Sequence, residues 1–163
     1  ARLIGANVVA TAGSSAKCDI CRKLGAAAAI NYRDEDFVEA TKKATGGHGA
    51  DIAFNTVGSP YFEAANKAMA HDARQILIAT RERPVPFDIF TFYRGRHSYF
   101  GVDTLGLDCV ASGAMLAAML PGFESGALKP FPVLPDACYP LDRAFDAYQR
   151  VLDGSRDRVV LIP

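Results

Sequence analysis

Net charge is absent from this sequence: eighteen Lys and Arg balance eighteen Asp and Glu over 163 residues. A neutral chain has no long-range field to gather nucleic acid or an anionic membrane, so a small-molecule partner is expected, with no nucleic acid and no membrane. No apolar run approaches the roughly 20 residues of a membrane span. The opening ARLIGANVV also lacks the basic, apolar and small-residue layout of a signal peptide, which makes a cytoplasmic setting the expectation. Cysteine is scarce. Cys18, Cys21, Cys109 and Cys138 are too few and too unevenly placed for a disulfide framework, and are expected to be reduced thiols. Cys18 and Cys21 form a CxxC, but it lies inside an expected helix with no second pair and no nearby histidine pair, so it is read as helix packing. His48, His71 and His97 have no ligand spacing, and no metal is expected. The GxSxG of a serine-hydrolase elbow is missing, and the acids of DEDF at 34–37 suit a helix start better than an acid–base pair.

What the sequence does have is a repeated alternation of short apolar strands and longer amphipathic stretches, separated by glycine or small polar residues. Strands are expected at 7–11, 28–31, 52–56, 75–79, 98–102 and 158–162. Helices are expected at 15–24, 34–45, about 60–69, a short piece at 87–93, about 107–123 and 141–152. Pro121 and Gly122 should kink or stop the long helix. The apolar MLAAML at 115–120 within it reads as core. After residue 126 the stretch LKPFPVLPDACYPL carries four prolines and no helical period. We therefore place a boundary there and expect an extended crossing segment. Mostly apolar strands alternating with helices imply an α/β fold with a parallel, doubly wound sheet. Ligands in such sheets lie at the carboxyl ends of the strands, here residues 12–17, 55–58, 79–81 and 101–103.

The first of these ends is the most informative. In a dinucleotide-binding fold the adenosine 2′-hydroxyl is held by a carboxylate at the end of the second strand, and a 2′-phosphate would be repelled by it. VVATAGSSAK contains no acid there. Gly13, Ser14 and Ser15 offer close backbone approach, hydroxyls and a helix start, Lys17 adds a positive charge, and Tyr32 ends the next strand. That set suits a phosphate, although a turn with an N-cap, an exposed lysine and a half-buried tyrosine would look the same. The GxGxxG that takes a pyrophosphate is nowhere present, since TGGHGAD ends a helix and precedes a strand.

The segments ARLIGANVVATAGSSAK, RKLGAAAAINYRDEDF, ATGGHGADIAFNTVGS, FESGALKPFPV and AYQRVLDGSRDRVVLIP resemble, in order and spacing, the carboxyl half of medium-chain dehydrogenases/reductases, in particular the quinone-oxidoreductase-like branch. The resemblance implies a Rossmann-type domain (residues 1–126) that lacks its first strand and glycine-rich turn. It also implies a return segment (127–163) that packs on a catalytic domain absent from these residues. It implies NADP as cofactor and hydride transfer to a quinone, enone or similar activated carbonyl, with no catalytic side chain in this chain, which alone is expected to be inactive. Ser14, Lys17 and Tyr32 match the positions that hold the 2′-phosphate. Asn55, Ala79, Thr80, Phe100, Gly101 and Val102 match strand-end backbone facing the nicotinamide, and Arg156 matches a further phosphate contact. A homodimer through the strand at 98–102 is implied as well.

Two rivals remain at the level of sequence. One is a truncated, non-catalytic Rossmann-like module acting as a dimerisation or scaffold unit; a strand and GxGxxG encoded upstream of Ala1 would exclude it. The other is a Rossmann-like methyltransferase, disfavoured because such folds place an acid where this chain has Gly-Ser-Ser.

Overall fold

The helices at Ser15–Lys23, Phe37–Ala44 and Ile89–Gly95 each start on a side-chain cap. A computed structural model describes residues 1–163 apart from Thr104, Phe131, Pro132 and Arg156; the Arg156 expectation lies outside the described residues. Strand β1 (Val9–Ala12) leads into helix α1 (Ser15–Lys23), whose N-cap Ser14 accepts from the Lys17 amide and whose last turn carries Arg22 and Lys23, as the helix dipole favours. Strand β2 (Ala28–Asn31) buries Ala29 and Ile30. In helix α2 (Phe37–Ala44) the Asp36 carboxylate caps the Val38 and Glu39 amides, so the helix begins three residues later than the acids suggested. Strand β3 (Ala50–Asn55) is followed by helix α3 (Phe62–Ala68), strand β4 (Met69–Leu77), helix α4 (Ile89–Gly95) and strand β5 (Ser98–Gly101).

Strands β1 and β2 form one parallel sheet, and β3, β4 and β5 form another, in that order. All these pairs are parallel and joined by helices, the arrangement expected of a doubly wound fold. Among the described residues no hydrogen-bonded ladder joins the two sheets. Ile52 and Phe54 of β3 are exposed. The core of the larger sheet is Met69, Ala70 and Ala73 on β4, with Ala53 and Tyr99 packed against it. The rings of Phe62, Phe87 and Phe92 surround Tyr99 at centroid distances of 5.2 to 5.7 Å.

Two compact units divide between Asp108 and Cys109. The second contains helix α5 (Cys109–Glu124), strand β6 (Cys138–Pro140), helix α6 (Ala144–Leu152) and strand β7 (Val160–Ile162). Helix α5 continues one turn past Pro121 and ends at Glu124. No described residue of α5 is buried, and Met115, Leu116, Met119 and Leu120 are exposed, which corrects the reading of MLAAML as core. The helix is apolar all round, so periodicity selected no face to bury. Strand β6, inside the proline-rich stretch, pairs parallel with β7 across α6, making a small βαβ unit centred on the buried Ala137 and Ala147. Arg150 of α6 donates to the Tyr139 hydroxyl and pairs with Asp157. No helix among the described residues is long and apolar enough to cross a membrane.

Candidate functional site

The candidate site is built from the loops at the carboxyl ends of β1 to β4. At the end of β1, Gly13 is required by a close approach: a Cβ there would stand 2.7 Å from the Tyr32 hydroxyl and 3.4 Å from Arg33 Nε. The Tyr32 hydroxyl and the Arg33 guanidinium therefore lie directly over this backbone. Ser14 Oγ accepts from the Lys17 amide at 3.4 Å, which fixes the first turn of α1 in the same corner. Tyr32 is thus brought over the loop that carries Ser14, and Lys17 follows in the first turn of α1. Among the described residues neither Lys17 nor Arg33 has an ion-pair partner. The nearest acid in sequence, Asp34, is engaged by the Asn31 side-chain amide.

The end of β3 is built differently. Asn55 is buried, and its side chain serves its own loop: Oδ1 accepts from the amides of Val57 at 3.1 Å and Gly58 at 2.8 Å, and Nδ2 donates to the Gly58 carbonyl and to Gln75 Oε1. Gln75, with no exposed surface, donates in turn to Asn66 Oδ1 at 2.6 Å. Gly58 has φ +77°, and a Cβ there would come within 2.3 Å of the Ala79 carbonyl oxygen. Ser59 Oγ accepts from the Glu82 amide at 2.9 Å and from Thr80 Oγ1 at 3.4 Å, latching the loop after β3 to the loop after β4. Asn55, Ala79 and Thr80 thus form a second, internally satisfied corner.

Phe100, Gly101 and Val102 stand at the end of β5, where the Val102 amide donates to the Leu77 carbonyl at 2.9 Å. A Cβ on Gly101 would meet nothing within 4 Å, so this strand end is open.

Between the first two corners lies a pocket of about 530 Å³ lined by Tyr32, Arg33, Val57, Pro60, Tyr61 and Arg81. That volume falls within the roughly 300–1,000 Å³ of small-molecule sites. The rings of Tyr32 and Tyr61 stand 5.6 Å apart at 56°, and Phe37 packs edge-on against Tyr61. Sequence reading missed Arg33, Tyr61 and Arg81. Arg33 carried a signal in its adjacency to Tyr32, and Arg81 in its place at the strand end 79–81; Tyr61 carried none. A smaller recess of about 190 Å³ behind α1 contains Asp34 and Glu35, and its Arg22 is already engaged by Asp19 and the Ala29 carbonyl, so it does not suit an anion.

Residues 1–120 match the family described as zinc-binding dehydrogenase. The chain belongs to that family. It is 40% identical over 58 residues to a 2-haloacrylate reductase of Burkholderia sp, a match covering 36% of this chain and 17% of that protein. In fold it is similar to Escherichia coli quinone oxidoreductase complexed with NADPH, with a TM-score of 0.85 at 22% identity over 99% of this chain and 51% of that one. It is also similar to an NAD-dependent alcohol dehydrogenase, with a TM-score of 0.83 at 28% identity over 99% of this chain and 45% of that one. The chain thus spans about half the length of these solved structures, and has the fold of the carboxyl half of a quinone-oxidoreductase-like member of the medium-chain dehydrogenases/reductases. Zinc figures in the family's description, yet among the described residues no group of three or more His, Cys, Asp or Glu could hold a metal ion. No step through zinc is derived for these residues.

Proposed function

We propose that these residues form the NADPH-binding part of an oxidoreductase that transfers hydride to a quinone, enone or similar activated carbonyl substrate. The observation that carries the reading is the corner where the Tyr32 hydroxyl and the Arg33 guanidinium stand over Gly13, beside Ser14 and the first turn of α1 that carries Lys17, with no ion-paired carboxylate. A 2′-phosphate carries nearly two negative charges, and such a corner attracts it where an acid would exclude it. One of the two similar solved structures is bound to NADPH and the other is NAD-dependent, so these side chains, more than the fold, favour the phosphorylated form.

When bound, NADPH supplies the hydride, and the protein supplies position and polarity. The latched loops after β3 and β4 hold Asn55, Ala79 and Thr80 as a fixed wall, and the backbone of Phe100, Gly101 and Val102 lines the nicotinamide side. No side chain here is assigned as acid or base. Residues 127–163 are read as the return segment that packs on a catalytic domain, and 1–126 as the cofactor domain. We assign the protein to the cytoplasm, with a homodimer through β5, which is an edge strand of its sheet. The alternative is a Rossmann-like scaffold or dimerisation module that binds no nucleotide.

Fluorescence titration of the 163-residue chain with NADPH and NADH tests the reading. NADPH should bind about tenfold or more tightly, equivalent to about 1.4 kcal/mol, and Lys17→Ala should remove most of that preference. Equal, weak binding of both cofactors that Lys17→Ala leaves unchanged would support the scaffold alternative.

A further inference from the structure

Among the described residues the largest side chain with no exposed surface is polar: Gln75, within β4. An amide in that position destabilises the fold unless both of its ends are satisfied, and an apolar residue would fill the space without that cost. Both ends are satisfied, and in one direction. Asn55 Oδ1 accepts from the backbone amides of Val57 and Gly58, so its Nδ2 faces inward and donates to Gln75 Oε1 at 3.0 Å. Gln75 Nε2 is thereby turned toward α3, where it donates to Asn66 Oδ1 at 2.6 Å. With the Asn55 end fixed by two backbone amides, a flipped Gln75 would set donor against donor at Asn55.

The same Asn55 side chain closes its loop on itself, since Nδ2 also donates to the Gly58 carbonyl at 3.2 Å. The ladder between β3 and β4 ends at the Asn55–Leu77 pair. From there two side-chain ties join the loop to β4 and the residues after it: the Gln75 amide on the inside and the Ser59 hydroxyl on the outside. We propose that Gln75 is a positioning residue for the nicotinamide half of the cofactor, acting through Asn55. It touches no ligand; it fixes the Asn55 amide and with it the tilt of residues 55–58. The inference rests on the NADPH reading, in which this loop belongs to the wall on the nicotinamide side, and deepens it by naming what holds that wall from behind.

Calorimetric titration of the 163-residue chain with NADPH and with adenosine 2′,5′-bisphosphate, which lacks the nicotinamide half, separates positioning from folding. Gln75→Met keeps the volume and removes both hydrogen bonds. It should weaken NADPH about fivefold and leave the bisphosphate within about twofold. Adding Asn66→Leu removes the oxygen left without a donor, so the double variant should recover most of the urea midpoint lost by Gln75→Met while NADPH stays about fivefold weaker than in the wild type. The double variant also carries both titrations if Gln75→Met does not fold. NADPH affinity that returns with the midpoint, an equal loss for both ligands, or undiminished NADPH binding in Gln75→Met would each overturn the positioning role; the cofactor reading then stands if the wild type still prefers NADPH over NADH. If the wild-type chain binds neither NADPH nor the bisphosphate, both fail.

Discussion

The corners at the ends of β1 and β3 face the same pocket and use their polar groups in opposite ways. At β3, Asn55, Gln75 and Asn66 are buried and spend their amide groups on one another and on the loop backbone. At β1, Lys17 and Tyr32 are exposed, and Lys17, like Arg33, has no ion-pair partner among the described residues. A buried polar group must be satisfied internally to avoid a desolvation cost, so the β3 corner is architecture. An exposed group can wait for a ligand. Chemistry is therefore sought where hydrogen-bonding capacity is left over, and rigidity where it is used up.

Substitutions can break or sharpen this contrast. The largest loss is expected at Gly58→Ala, which places a methyl group 2.3 Å from a backbone oxygen at φ +77°; it should cost about 3 kcal/mol in urea unfolding. A change below about 0.5 kcal/mol would mean that the loop is not held as described. Next is Gln75→Leu, which strips one of two partners from Asn55 Nδ2 and the partner from Asn66 Oδ1, and should cost about 2 kcal/mol by the same measurement. It should lower NADPH and NADH binding in equal proportion, whereas Lys17→Ala should leave unfolding stability within about 0.5 kcal/mol and alter NADPH binding alone. The smallest effect is expected from Tyr99→Phe. Burial raises the Tyr99 pKa above its ordinary value, with Asn66 partly offsetting this, and its hydroxyl has no hydrogen-bond partner of good geometry. The folded state then holds that proton more tightly than the unfolded chain, so the stabilisation is complete below the ordinary tyrosine pKa and is lost as pH rises through the folded value. The wild type should lose stability along that alkaline limb, and Tyr99→Phe should flatten it with little change at neutral pH.

Much of the first unit was legible because its local signals agree. Alternation, caps and stop signals marked β2 and α1 closely, and the missing acid after β1 pointed to the corner that the fold assembles. The reading failed where one signal stood alone. Residues 70–74 fall in no expected strand because His71, Asp72 and Arg74 interrupt the apolar pattern; yet they belong to β4, with Ala70 and Ala73 buried, the polar residues outward and Asp72 at φ 59°. The apolar α5 announced burial without naming a face to be buried. Arg33 and Arg81 escaped notice because no spacing rule links them. Only the meeting of two strand ends reveals that neither arginine is spent.

Helix α3 ends at Ala68 and β4 starts at Met69, with no residue between them. Ala68, Met69 and Ala70 are all buried at this junction, so there is no slack to absorb an inserted peptide or to feed a protease active site. Residues 62–77 should therefore open and close as one block in amide hydrogen exchange. Beyond the Ser59 latch, the exposed stretch 83–84 is where the first unit can accept extra sequence, and a tag placed there would report on the pocket beside it.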